Sequence, residues 1–330
     1  MNNSFKLGLG LDADGRIADN LGELIGNTPM MNLHGYQKKY GLAGSLAAKL
    51  EYFNPLGSVK DRAAKAMLDA AEKSGELLPG GKVAEATSGN MGIALAFLCT
   101  LKGYDLVIAM PESMSRERVR LLSALGASVM LTPADQGMKG AIEAVERLKT
   151  EDPSVFVPSQ FDNPANAAAH AATTGAELLR DTYGKISYLI AGIGTGGTVT
   201  GIGRTLKAYR KDIKIIGVEP AASAVLSGGQ AGSHGIMGIG AGFEPKVLDR
   251  GVIDEIVPVT DEEAFEAART VAKTDALLVG ISSGAALAAA RKIAERVQDR
   301  HARFVVILPD GGERYLSTSL YETETDQTDP

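Results

Sequence analysis

Lys60 stands where a turn-rich stretch, Asn54-Pro55-Leu56-Gly57-Ser58-Val59, gives way to a helix-forming run, Ala63-Ala64-Lys65-Ala66-Met67-Leu68. Lysine near a helix N-terminus is at the wrong end, because the macrodipole there favours anions. The dipole and partial burial both favour the neutral amine, while the adjacent Asp61 pulls the other way. A neutral lysine amine is the form that condenses with a carbonyl to make a Schiff base. A solvated lysine in an exposed first turn would look the same locally, so the case for chemistry rests on the rest of the chain.

Three glycine-containing segments fall between an apolar run and a helical pattern, where open α/β sheets bind ligands. In Gly192-Ile193-Gly194-Thr195-Gly196-Gly197-Thr198 the glycines permit close backbone approach. Successive N–H groups at a helix start form an anion nest, and Thr195 and Thr198 add hydroxyls, so the segment reads as a phosphate site. Gly192, Gly194 and Gly197 also satisfy G-x-G-x-x-G, and Glu219 ends the next strand pattern. Alone, this loop supports a nicotinamide-dependent dehydrogenase equally well.

Ala86-Thr87-Ser88-Gly89-Asn90-Met91-Gly92 offers two hydroxyls and open N–H groups, which suits a small carboxylate; ordinary N-capping by Ser88 is the plainer reading. Gly280-Ile281-Ser282-Ser283-Gly284 matches G-x-S-x-G. The only later histidine is His301, and Asp299, two residues before it in the same charged helix end, makes no workable triad with it. His34, His170, His234 and His301 have no metal-ligand spacing with one another or with Cys99, so no metal is expected.

Short apolar runs predict strands over 45–50, 82–86, 106–110, 128–132, 155–158, 187–191, 214–218, 255–259 and 303–308. Helical spacing predicts helices over 60–74, 90–102, 115–125, 138–149, 164–183, 198–210, 261–274, 283–299 and about 312–319. Such alternation implies an α/β protein on a mainly parallel sheet. Gly103, Gly126 and Gly184 stand where helix C-caps belong. The Gly-rich stretch 227–242 carries no helix or strand pattern and reads as a functional loop; 1–19 and the acidic 321–330 read as peripheral tails.

The 330 residues, 45% apolar, suffice for a large core in two lobes. A net charge of −6 without any basic block argues against nucleic acid and anionic membranes as partners. The single cysteine, Cys99, forms no internal disulfide and fits a reducing compartment. No apolar stretch approaches the ~20 residues that span a bilayer, and the N-terminus lacks a signal-peptide pattern. The expectation is a soluble cytoplasmic protein.

Lys60 and these loops, in this order, resemble the cysteine synthase (O-acetylserine sulfhydrylase) family of fold type II pyridoxal-phosphate enzymes. The resemblance runs from 22–29 (GELIGNTP) to 312–317 (GERYLS) and includes 160–166 (QFDNPAN) and 238–243 (GIGAGF). It implies a two-lobed, tryptophan synthase β-like α/β fold with mainly parallel twisted sheets flanked by helices. The N-terminal lobe would cover 20–165, with a mobile part at about 90–150, and the C-terminal lobe 166–320.

The resemblance also implies roles. Lys60 would hold pyridoxal 5'-phosphate as a Schiff base and shuttle the Cα proton. Asn90 would bond the ring hydroxyl, and Gly194, Thr195, Gly196, Gly197 and Thr198 would cradle the phosphate. Ser282 would face the pyridine nitrogen, a neutral partner that leaves the cofactor a weaker electron sink suited to β-elimination. Thr87, Ser88, Gly89 and Gln160 would bind the substrate carboxylate, with Gly238 to Gly242 lining the pocket. The implied reaction is β-replacement: L-cysteine from O-acetyl-L-serine and sulfide through an aminoacrylate, in a homodimer. A reading as a mere binding partner of serine acetyltransferase is opposed by the intact Lys60.

Met91 departs from the family pattern, which usually has threonine there. Some relatives with another β-nucleophile carry methionine. The alternative is therefore a β-cyanoalanine synthase or a cysteine-eliminating, desulfhydrase-type relative.

Overall fold

The computed structural model describes residues 17–322, so most of the two expected tails, 1–16 and 323–330, lies outside the described residues. The central apolar runs form strands buried on both faces, as parallel strands under helices must be, whereas the edge strands over 128–132 and 255–259 are partly open. The strands are β1 (Met30–Asn32), β2 (Ser45–Leu50), β3 (Lys82–Ala86), β4 (Asp105–Pro111), β5 (Ser128–Thr132), β6 (Tyr188–Gly192), β7 (Lys214–Pro220), β8 (Glu255–Val259) and β9 (Arg303–Leu308). The helices are α1 (His34–Tyr40), α2 (Lys60–Ser74), α3 (Asn90–Lys102), α4 (Arg116–Ala124), α5 (Gly137–Glu151), α6 (Pro164–Ala172), α7 (Thr174–Thr182), α8 (Gly197–Tyr209), α9 (Asp261–Asp275) and α10 (Ile281–Val297).

Two sheets result. The larger has the order β1-β2-β9-β6-β7-β8, parallel except for the antiparallel edge strand β1; the smaller is parallel, β3-β4-β5. Helices α9 and α10 bury Val271, Leu287 and Ile293 against one face of the large sheet, and α8 buries Ile202 and Leu206 against the other. Helices α2 and α3 cover the small sheet with Met67, Leu95 and Leu98, while α5 closes its far side with Ala141 and Ala144.

Several local expectations are corrected. Segment 155–158 is no strand: Phe156 makes one parallel bridge to Val83, and Pro158 has no N–H to extend the ladder. The helix expected over 164–183 breaks at Thr173, whose hydroxyl donates to the Ala169 carbonyl four residues back, an arrangement that bends helices. Only a 3₁₀ turn, Gly312–Tyr315, forms within 312–319. The short elements β1 and α1 were not expected. Both β1 and β2 lie in the large sheet, so the division near 165 separates the two sheets only beyond residue 50. Gly103 caps α3 in the left-handed region; α4 and α7 are capped by Leu125 and Tyr183, with Gly126 and Gly184 one residue later.

A buried ionic network joins the small-sheet helices to the large sheet. Arg62 of α2 forks onto Glu51 (2.7 and 2.9 Å) and onto Glu177 of α7 (2.6 and 2.8 Å), and Lys49 of β2 reaches Glu177 at 2.7 Å. All four side chains are buried. This network fixes the start of α2 two residues after Lys60.

Candidate active site

The parallel strands of the large sheet end on one side, where ligands bind in open α/β sheets. Lys60, the first residue of α2, is held there by backbone bonds: Val59 N–H donates to the Pro309 carbonyl just past β9 (2.9 Å), and Ser58 bridges Asp310. Lys60 lines a narrow inner cavity of about 50 Å³ together with Asn90, Gly194, Thr195, Gly196, Thr198, Gly238, Ser282 and Asp310. It also lines an outer cavity of about 360 Å³ with Thr87, Ser88, Gly89, Asn90, Met91, Gln160 and Gly238. The two share Lys60, Asn90, Gly194, Thr195, Gly238 and Ile239 and form one cleft. Of the expected site residues, Gly197, Gly240 and Gly242 do not line it; the others do.

Burial depresses the proton affinity of the Lys60 amine, as the sequence suggests. The opposing charge is not Asp61. That carboxylate turns away to accept the Leu56 N–H at 2.7 Å, and burial pushes it up to about 7. The anion that favours protonated Lys60 is Asp310.

Asp310 is the residue that local sequence reasoning missed. It is 2% exposed, and its Oδ2 accepts from Asn90 Nδ2 (2.7 Å) and Tyr315 Oη (2.6 Å). Its Oδ1 has no hydrogen-bond partner and lies over Gly280, where a Cβ would come within 2.1 Å. Burial raises its proton affinity. Arg314 donates to Asn90 Oδ1, so the Asn90 amide is held at both ends and cannot flip. One of its two Nδ2 hydrogens remains for the cleft.

The glycine loop after β6 is an uncapped helix start. Gly196, the N-cap of α8, has φ +81° and offers no side-chain cap. A Cβ on Gly194 would stand 2.4 Å from the Gly238 carbonyl. These contacts require glycine and leave backbone N–H groups and the Thr198 hydroxyl at the inner cavity, which suits a phosphate. Gly197 plays a different part from the one expected: its N–H donates to Thr195 Oγ1 (3.3 Å), and its Cα backs onto Asn166. Asn166 in turn donates to Thr195 Oγ1 (3.0 Å) and to the Gln160 carbonyl (2.8 Å), so it couples the two sides of the cleft. Behind Thr198, buried His170 bridges Thr198 (3.3 Å) and Thr174 (2.9 Å), and burial lowers its pKa to about 3. His170 is therefore a neutral support for that hydroxyl. An alanine-rich helix gives no sign of this.

The loop after β3 is uncapped too. Gly89, not Ser88, is the N-cap of α3, and no side chain satisfies that helix end. Its N–H groups face the outer cavity with Thr87 and Ser88, opposite Gln160. Met91 lines the same cavity but is only 1% exposed and packs with the α2–α3 core, so it forms wall and does not project. The aromatic rings of Phe161 and Phe243, 5.2 Å apart, also line this cavity.

Two rival readings lose their geometry. Glu219 is 1% exposed and bonded to the Leu226 N–H (2.9 Å), away from the cleft. His301 is exposed before β9, at the opposite end of the sheet from Ser282. Among the described residues no cluster of His, Cys, Asp and Glu could hold a metal, and no helix is long and apolar enough to cross a membrane.

Comparison with known proteins agrees with this geometry. The model of the family described as pyridoxal-phosphate dependent enzyme matches residues 21–310. Cysteine synthase from Staphylococcus aureus is 48% identical over 304 residues, 92% of this chain and 97% of that one. The crystal structure of cysteine synthase from Entamoeba histolytica superposes with a TM-score of 0.92 at 44% identity, covering 95% of this chain and 94% of the other. A hydrogen sulfide-producing enzyme from Fusobacterium nucleatum gives a TM-score of 0.87 at 40% identity, with 92% and 99% covered. The chain belongs to the family of pyridoxal-phosphate dependent enzymes.

Proposed function

We propose that this cleft holds pyridoxal 5'-phosphate through Lys60, Asn90, Gly194, Thr195, Gly196, Thr198 and Ser282, with Gly197 supporting the loop from behind, and the amino acid through Thr87, Ser88, Gly89, Met91, Gln160 and Gly238. The chain is a cysteine synthase: sulfide replaces the acetoxy group on the β-carbon of O-acetyl-L-serine, giving L-cysteine and acetate. The observation that carries this reading is one cleft joining a lysine of lowered proton affinity to two uncapped helix N-termini.

When bound, the cofactor supplies a carbonyl for an amine and a conjugated ring that draws electrons from the amino acid's α-carbon. Lys60 Nζ, whose proton affinity burial lowers, takes the α-proton. Ser282 would give the cofactor's ring nitrogen an uncharged partner, and the Asn90 amide, held by Asp310 and Arg314, would offer its free N–H to the cofactor. The open N–H groups at the start of α3 bind the substrate carboxylate, with Gln160 opposite. Met91, Phe161 and Phe243 line the outer cavity with apolar surface beside the reactive groups. In the same proposal the lobes are 20–165 and 166–320, and the part at about 90–150 closes on the substrate. A homodimer, association with serine acetyltransferase and a cytoplasmic location also belong to it; sedimentation alone and with that enzyme, and cell fractionation, test them.

The test of the reaction is purified holoenzyme given O-acetylserine with sulfide, with cyanide, or with no added nucleophile. Sulfide-dependent cysteine as the main product is expected. The cyanide or cysteine-eliminating alternative rests on Met91 and on the hydrogen sulfide-producing neighbour; it becomes the better reading if β-cyanoalanine formation or sulfide release from cysteine dominates. No turnover of either amino acid overturns both.

A further inference from the structure

Two loops of the cleft meet at the backbone of Asp310. It bridges Ser58, two residues before Lys60, and its carbonyl accepts the Gly280 N–H (3.1 Å), two residues before Ser282. The side chain is equally constrained. Oδ2 accepts from Asn90 Nδ2 and Tyr315 Oη, two donors that favour the ionised form, while Oδ1 has no partner. A buried carboxylate with one bare oxygen is costly unless a cation shares its space. The cations acting on it are Arg314 and Lys60. Arg314 is engaged by Asn90 Oδ1 and the Leu56 carbonyl, which leaves Lys60, a wall of the same inner cavity.

We propose that Asp310 acts through Lys60: its carboxylate is the counter-ion of the ammonium that forms when Lys60 Nζ takes the α-proton. This inference rests on Lys60 being the base of the proposed reaction. Burial frees the amine of its proton but also makes it a weak base, and a nearby anion restores its strength. In the step, the Cα–H bond breaks, an N–H bond forms on Nζ, and the electron pair leaves with the β-acetoxy group as acetate. The proton stays on Nζ and returns to the α-carbon when sulfide adds; none passes to Asp310. Asp310 lines the inner cavity and not the outer one, so its part is in the proton transfer and not in holding the substrate. The other groups around the pair are His170, neutral through burial, the permanent cations Arg314 and Arg118, and the Tyr315 phenol, which burial holds above its usual range. Asp61, pushed up to about 7, is common to parent and variants, so the difference between their pH profiles is what reports on Asp310.

The rate at which the full-length apoprotein captures pyridoxal 5'-phosphate on Lys60, followed by absorbance across about pH 6–10, reports the neutral amine without turnover. Without its anion the amine loses its proton at lower pH. In Asp310→Asn the profile is therefore expected to move to acid, with capture on its rising limb about tenfold faster. Asp310→Ser, shorter and also uncharged, is expected to move it the same way, which separates charge from the alignment of Asn90; it also decides if Asp310→Asn does not fold. In turnover of O-acetylserine both variants are expected to lose about tenfold in kcat with KM within about twofold. Profiles that coincide with the parent's, or a shift in Asp310→Asn that Asp310→Ser does not share, overturn this inference alone. A loss carried by KM with kcat intact does the same. A parent that captures no cofactor on Lys60 overturns the functional reading together with it.

Discussion

Replacing Gly197 with alanine isolates the joint between the two halves of the cleft. A Cβ there would stand 2.1 Å from Asn166 Oδ1 and 2.5 Å from its Cγ, on a side chain only 2% exposed. The methyl must displace the amide, which holds the Gln160 carbonyl and the Thr195 hydroxyl. A buried neutral hydrogen bond is worth about 0.5–1.5 kcal/mol net, so losing both weakens the geometry by about 1–3 kcal/mol. At 1.4 kcal/mol per tenfold, Kd for pyridoxal 5'-phosphate should rise roughly 10- to 100-fold. Titrating the apoprotein with the cofactor reads this directly. Asn166→Ala removes the obstacle, so the double variant should lose less than the sum of the single losses. A folded Gly197→Ala protein with unchanged Kd, or strict additivity in the cycle, refutes the reasoning.

Other substitutions follow the same geometry. Arg62→Ala leaves Glu51 and Glu177 buried without their shared cation, so denaturant unfolding should report a loss of about 3–5 kcal/mol. Met91→Thr opens the outer cavity and should raise the ratio of sulfide to alternative-nucleophile turnover roughly tenfold; an unmoved ratio makes Met91 packing only. Burial pushes the Glu85 carboxyl up to about 7, against the Ser159 N–H bond that lowers it. The unfolded state ionises this group near pH 4.3, earlier than the folded state, so its contribution is full below that pH and is lost as pH rises to about 7. Glu85→Gln should therefore gain on the parent in melting temperature from pH 5 to 7 and hold a constant lead above it; a gap that does not change with pH contradicts this.

What could be read from the sequence divides along a physical line. The loops at 87–91, 194–198 and 280–284 announce themselves because their chemistry is local: glycines, hydroxyls and backbone N–H groups act within a few residues of one another. Lys60 belongs with them, since the helix it begins is plain in the composition. Asp310 does not, because its partners Asn90, Tyr315 and Lys60 come from three segments, and Asp-Gly-Gly reads as a turn. Asn166 and His170 are hidden for the same reason, within an alanine-rich helix whose distant contacts give them meaning. In the fold, long periodic elements match to within two residues. The failures are short or contextual: three-residue β1, α1 with Tyr36 as its one buried residue, and the break at Thr173, which depends on a single hydroxyl.

The central claim is that Lys60, of the 34 lysines and arginines in the chain, carries the cofactor. Borohydride reduction of the holoenzyme followed by peptide mass spectrometry tests it most directly. The account predicts one phosphopyridoxyl-lysine, at Lys60, and none after Lys60→Ala, although that variant should still bind some cofactor through the 194–198 loop. A label on any other lysine, or an unlabelled Lys60 in active enzyme, contradicts it.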